Sequence, residues 1–267
     1  MRQIFIGIVF FFLRYTPGYA QFSTTIDIRY SKQVSDSFEI YISVPPTFNA
    51  KERYNVVYYC DANLKSGKHL RELLSGGTFD VHLQHSIFIG IGHIGNFHVL
   101  RRRDFILPDI NHTDTVTQHK NYGQITNFYA FLTKELIPAI NTKFKTNTGN
   151  NSIIGHSLGG LFAFYCFFRS DHVFSRYFAL SPSLWVDQYA IYRFNKIPAS
   201  LPGKKYLYFV SGSRETLNKV LHGTNEAKIF LDKMNYGNLK YDYDIWPGET
   251  HNSEVPLSLK KILSEKL

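Results

Sequence analysis

Residues 151–168, NSIIGHSLGGLFAFYCFF, admit few folds. A short apolar run at 151–154 leaves the turn-rich TNTGNN and reads as a buried strand. Residues 158–168 are apolar nearly all round, the pattern of a buried helix. Between them stands G-x-S-x-G, with Gly155, Ser157 and Gly159. With Gly and Ser each near ~7% of residues, such a triplet arises by chance about one time in ten in a chain this long, so the flanks carry the reading. A serine on a sharp strand-to-helix turn is the setting of a nucleophile elbow. Glycines are needed where a Cβ would strike neighbouring backbone, and Oγ stands at a helix N-terminus whose free N–H groups can meet negative charge. The alternative is a glycine-rich junction with a capping serine. Partner residues decide between the two.

The chain of 267 residues can bury the core of one α/β domain. Its 44% hydrophobic and 19% charged residues are ordinary for a globular protein. Residues 1–20 stand apart: Arg2, the apolar IFIGIVFFFL, and TPGYA before Gln21 predict a secretory signal peptide cleaved after Ala20. The apolar run is too short for a permanent membrane span, although an uncleaved anchor is the rival reading. The expected organisation is a leader over 1–20 and a single domain over 21–267, exported to a periplasm or beyond. Thirty Lys and Arg against 21 Asp and Glu give a formal charge of +9, which suits anionic substrates. Apart from RRR at 101–103 these charges are scattered, and no nucleic-acid module is visible. Cys60 and Cys166 fall in separate core elements and read as buried thiols. Asn111-His-Thr and Asn150-Asn-Ser match the glycosylation sequon.

Alternating residues at 24–30 and 37–44 predict an antiparallel strand pair, stopped by Pro45-Pro46. Strands are expected at 54–60, 86–92, 151–154, 176–181, 204–212 and 239–246. Helices are expected at 64–75, 125–144 (carrying Pro138), 158–168, 224–237 and 256–266, with a polar loop after residue 92. Alternating strands and helices imply a mostly parallel central sheet covered on both faces, the α/β class.

An activated serine needs a base, and the base an orienting acid. In the order Ser…acid…His, the histidine lies on a loop after the last strand, where LKYDYDIW runs into PGETHNSE and places His251. The acid should follow the strand KKYLYFVSG, where SGSRET supplies Glu215. Its carboxylate would accept Nδ1–H of His251 and leave Nε2 free for the serine proton. Asp187 is the alternative acid, with Asp242 and Asp244 inside the last strand less able to reach. The oxyanion needs two backbone donors: Leu158, after the nucleophile, and Ala62 in YYCDAN, with Asn63 next.

With these positions marked, the chain resembles the putative-esterase family of α/β-hydrolases from about residue 24 onward. Its members include enterobactin (siderophore) esterases, esterase D-like S-formylglutathione hydrolase, feruloyl and acetyl-xylan esterases, and mycobacterial mycolyltransferases. The resemblance rests on GHSLGGLFAFY, FSRYFALSPSLW, YYCDAN, RRRDF and GETHNSE, of which SPSLW is the most discriminating. It implies the α/β-hydrolase fold and Ser157 and His251 as catalytic, and it supports Glu215, though some siderophore-esterase relatives look like Ser–His dyads. The family's R-x-x-D-[FY]-T-P loop maps onto Arg101, Asp104 and Phe105, but DFILP departs from its T-P step. Arg101 is then a candidate contact for an anionic substrate group, or else the partner of Asp104.

The expected activity is carboxylic ester hydrolysis through an acyl-enzyme on Ser157, requiring no metal or cofactor. A siderophore-type ester ranks first as the small-molecule substrate. Acetyl or feruloyl carbohydrate esters, acyl transfer at the same site, and a silent hydrolase-fold binding protein are the alternatives.

Overall fold

The computed structural model describes residues 21–76, 81–108, 122–169, 171–197, 200–216 and 219–267. The expected leader and the Asn111 sequon lie outside the described residues. Eight strands form one sheet: β1 (Ser23–Ser31), β2 (Asp36–Val44), β3 (Asn55–Cys60), β4 (Ser86–His93), β5 (Ser152–His156), β6 (Arg176–Leu180), β7 (Ser200–Gly212) and β8 (Gly237–Trp246). Their order is β1-β2-β4-β3-β5-β6-β7-β8. The β1–β2 and β2–β4 pairs are antiparallel, and every later neighbour is parallel. Helices cover the sheet: α1 (Lys65–Ser75), α2 (Phe97–Phe105), α3 (Ile125–Ala130), α4 (Ile137–Lys143), α5 (Leu158–Phe167), α6 (Val220–Met234) and α7 (Glu254–Lys261).

The pattern of buried residues explains the layers. Strands β3, β4 and β5 are apolar on both faces because helices close both sides. On one face α3, α5 and their neighbours pack Phe128, Phe162 and Phe164 against the sheet. On the other, Leu70 and Leu74 of α1 meet Val255 and Leu259 of α7 over Val57 and Phe178. Helix α5 is buried at nine of its ten positions, the reason it reads as apolar all round. At about 1.5–3 kcal/mol per fully buried large side chain, this helix anchors the strand–helix junction ahead of it.

Three features differ from the expectations. Residues 97–105, expected as polar loop, form α2, started by the Asn96 side chain accepting the His98 N–H at 3.1 Å. Arg102 is exposed, but Arg103 and Asp104 are buried as a pair. Arg103 holds Asp104 through two nitrogens at 2.7 and 2.8 Å and reaches Asp36 at 2.7 Å, while His93 sits 3.0 Å from Asp104. The long helix over 125–143 widens to a π turn at Phe131–Leu136. Pro138 lacks an N–H and its ring opposes the carbonyl four residues back, which breaks the regular ladder there. A 3₁₀ stretch over Val186–Phe194, interrupted by left-handed backbone at Asp187, Gln188 and Tyr189, also follows β6 where no element was expected.

Candidate active site

Site residues gather at the carboxyl ends of the parallel strands, where an open α/β sheet forms its ligand crevice. Ser157 follows β5 in the middle of the sheet with φ +60° and ψ −117°, a strained conformation for a residue with a Cβ. The turn is tight enough that a Cβ on Gly155 would lie 1.9 Å from the Gly159 carbonyl oxygen. Backbone bonds lock it from the neighbouring strand end, with Ser157 N–H donating to Leu180 O at 2.9 Å and Ser183 N–H to Ser157 O at 3.0 Å. Ser157 Oγ lies 3.3 Å from Ser183 Oγ.

His251, on the loop after β8, lines the same cleft of about 300 Å³ as Ser157, His156, Arg101, Lys65 and Phe97. Its Nδ1 is 2.6 Å from Glu215 Oε2. Asp187 does not fill this place, and Asp242 and Asp244 are engaged by Tyr206, Tyr208, Lys261 and Lys266. Glu215 is buried, and its Oε1 accepts the Gly212 N–H at 2.7 Å and the Ser181 hydroxyl at 2.6 Å. Burial alone would push its carboxyl up; the bonds from His251, Ser181 and Gly212 outweigh this and hold it below the ordinary glutamate value. Gly212 also lets the two loops meet, since a Cβ there would stand 2.3 Å from Glu249 O.

His156 immediately precedes Ser157, and its Nε2–H donates to the His251 carbonyl at 2.7 Å. Burial drives its pKa down to about 3, with the His251 and Arg101 charges adding, so it stays neutral and buckles the histidine loop to β5.

Two expectations are corrected. Ala62 N–H donates to Ile91 O at 3.0 Å, inside the sheet edge, so it is not free to serve as an oxyanion donor. Arg101 does not pair with Asp104; its guanidinium grips Asp61 through two bonds, at 2.8 and 2.9 Å, and reaches His156 O at 3.3 Å. Asp61 therefore already neutralises this cation at the cleft wall. Ser181, Ser183, His156 and Glu254 were not singled out from sequence, although SPSLW, GHSLGG and GETHNSE contain them. Cys60 and Cys166 are free and buried. No helix among the described residues is long and apolar enough to cross a membrane.

Comparison with known proteins gives the family and the fold. The family model described as "Putative esterase" matches residues 31–254. Ferri-bacillibactin esterase BesA of Bacillus subtilis (strain 168) is 24% identical over 254 residues, covering 90% of this chain and 88% of its own. The crystal structure of the BES protein from Bacillus cereus superposes with a TM-score of 0.76 at 27% identity, over 90% of this chain and 94% of that one. Siderophore hydrolase EstB from Aspergillus nidulans shares the fold, with a TM-score of 0.75 at 19% identity, over 91% of this chain and 96% of that one. The chain therefore belongs to the "Putative esterase" family of α/β-hydrolases and is an esterase.

Proposed function

We propose that this esterase cleaves a siderophore-type ester outside the cytoplasm, through an acyl-enzyme on Ser157. The observation that carries the reading is the 2.6 Å contact between His251 Nδ1 and Glu215 Oε2 in the cleft that Ser157 also lines. With Nδ1–H donated to Glu215, Nε2 of His251 is the nitrogen that can take a proton. Ser157 Oγ turns from Ser183 toward Nε2, gives up its proton there and attacks the ester carbonyl. The carbonyl electron pair moves onto oxygen, where the Leu158 N–H at the start of α5 meets it. Asn63 N–H, one residue beyond Ala62, is the second donor. Collapse expels the alkoxide, which takes the proton back from Nε2. Water then gives a proton to the same nitrogen, attacks the acyl group and frees Ser157.

The siderophore assignment is supported by what BesA and the EstB protein are named for and by the basic chain. Export is supported by the leader-like residues 1–20. A serine-directed fluorophosphonate should label the wild type and not Ser157→Ala. In a panel of short p-nitrophenyl esters, a catecholate trilactone, acetyl-xylan and methyl ferulate, the trilactone should give the highest kcat/KM. Preference for acetyl-xylan or methyl ferulate would transfer the assignment to carbohydrate esters.

A further inference from the structure

Glu254 opens α7 three residues after His251, is fully buried, and takes no part in the cycle above. Its surroundings permit a count of protons. Oε2 accepts the Ser258 hydroxyl, and Ser258 Oγ in turn accepts the Trp246 indole N–H at 2.9 Å. Oε1 lies 2.9 Å from Ser181 Oγ, the same oxygen that lies 2.6 Å from Glu215 Oε1. A serine hydroxyl carries one proton and cannot satisfy two carboxylates. Glu215 already accepts from Gly212 N–H and faces His251 Nδ1, so it is the group held ionised. The Ser181 proton then belongs to Glu215, and Ser181 can meet Glu254 only as an acceptor. The proton between them is on Glu254.

Resting on the reading of Glu215 as the catalytic acid, we propose that Glu254 is a protonated carboxylic acid that positions Glu215 through Ser181. Its O–H donates to Ser181, whose O–H donates to Glu215, whose other oxygen faces the imidazole. Every polar atom from Trp246 to His251 is then paired, as a buried polar chain requires. Burial pushes Glu254 up to about 8, despite the Ser258 and Ser181 bonds, and the Glu215 and Glu249 charges add to the shift. The other titratable groups facing it are neutral His156, 4.0 Å away, and Tyr208 of β7. Kept neutral, Glu254 leaves Glu215 the lone anion behind an imidazole that becomes positive during the reaction. Once ionised, it would compete for the Ser181 proton and strip Glu215 of a donor.

The test measures kcat and KM for a p-nitrophenyl ester from about pH 5 to pH 10 in the wild type, Glu254→Gln, Glu254→Leu and Ser181→Ala. Glutamine offers an N–H and a C=O where the neutral acid has O–H and C=O; leucine offers neither. At neutral pH, kcat of E254Q should stay within about threefold of wild type, while E254L and S181A fall by about tenfold or more with KM nearly unmoved. Wild-type kcat should decline above about pH 8 and that of E254Q should not. Loss in E254Q as deep as in E254L, or wild-type kcat in S181A, overturns the proposal. Should E254L fail to fold, S181A, which removes a single oxygen, decides. Infrared spectra give a readout independent of catalysis: a carboxylic-acid carbonyl band at neutral pH, present in the wild type and missing from E254Q. Absence of that band overturns the proposal, whereas activity surviving in Ser157→Ala would strike only at the serine assignment.

Discussion

Ser157 sits at φ +60° because Gly155 and Gly159 let two backbone segments touch, so alanine at 157 inherits the turn and loses only Oγ. Ser157→Ala should cost about 10³-fold or more in kcat with melting unchanged, read by ester hydrolysis beside calorimetry. His251→Ala should cost as much, and the double variant little more, because the two act as a unit. Glu215→Gln keeps the shape but not the charge at His251 Nδ1 and should lower kcat by about 10²-fold, with Asp187→Asn near wild type; the reverse pattern would shift the acid to the loop after β6. Glu254 adds a pH effect on stability whose sign can be worked out. Its folded value of about 8 lies above the ordinary 4.5, so its contribution is fully present below about pH 4.5 and lost as pH rises to about 8. Glu215, shifted the other way, contributes above its unfolded value and loses that as pH falls through its folded one. Urea unfolding should therefore show E254Q gaining on the wild type between about pH 5 and pH 8, with no further gain above that. That Ser157 and His251 share a cleft and Glu215 meets His251 was legible, because each follows a strand in the expected order. Glu254 was not, because a carboxyl's protonation depends on burial and neighbours that spacing does not reveal.

Among the elements, strands were read well because alternation and apolar runs map directly onto faces, and the β1–β2 pair and the parallel strands fall within a few residues of expectation. Helix α2 was missed because HVLRRRD looks solvated. Arg102 is indeed exposed, but Arg103 and Asp104 turn inside the fold, where they join Asp36 and His93. Arg103→Leu leaves Asp104 buried with one partner fewer, and urea unfolding should show a loss of about 3–5 kcal/mol. A loss under about 1 kcal/mol would mean that His93 alone satisfies Asp104. The elbow was legible from its glycines, but Gly212 was not, because the atom it makes room for, Glu249 O, lies on a different loop. Gly212→Ala should part the Glu215 and His251 loops and lower kcat by about tenfold or more with KM nearly constant, since small misplacements are costly at a reacting pair.

On the scale of the whole molecule, the α/β class followed from the alternation of strands and helices, whereas the Arg101–Asp61 pair, which joins the end of β3 to the middle of α2, did not follow from any local pattern. Because Asp61 offsets Arg101, attraction of an anionic ester falls to the general positive field and to cations such as Lys65 at the cleft wall. The kcat/KM for an anionic ester should drop as salt rises from about 20 mM to 500 mM, while that of a neutral ester stays level; parallel curves would remove charge from substrate capture. The chemical groups of the cleft ride on the ends of β5, β7 and β8, the last of these an edge strand paired on one side only. Serine and helix can be in place while the histidine is still absent, and the cleft is complete only when β8 docks on β7. Ester turnover thus reports whether this one edge strand is seated, a local readout of strand pairing at the far side of the sheet.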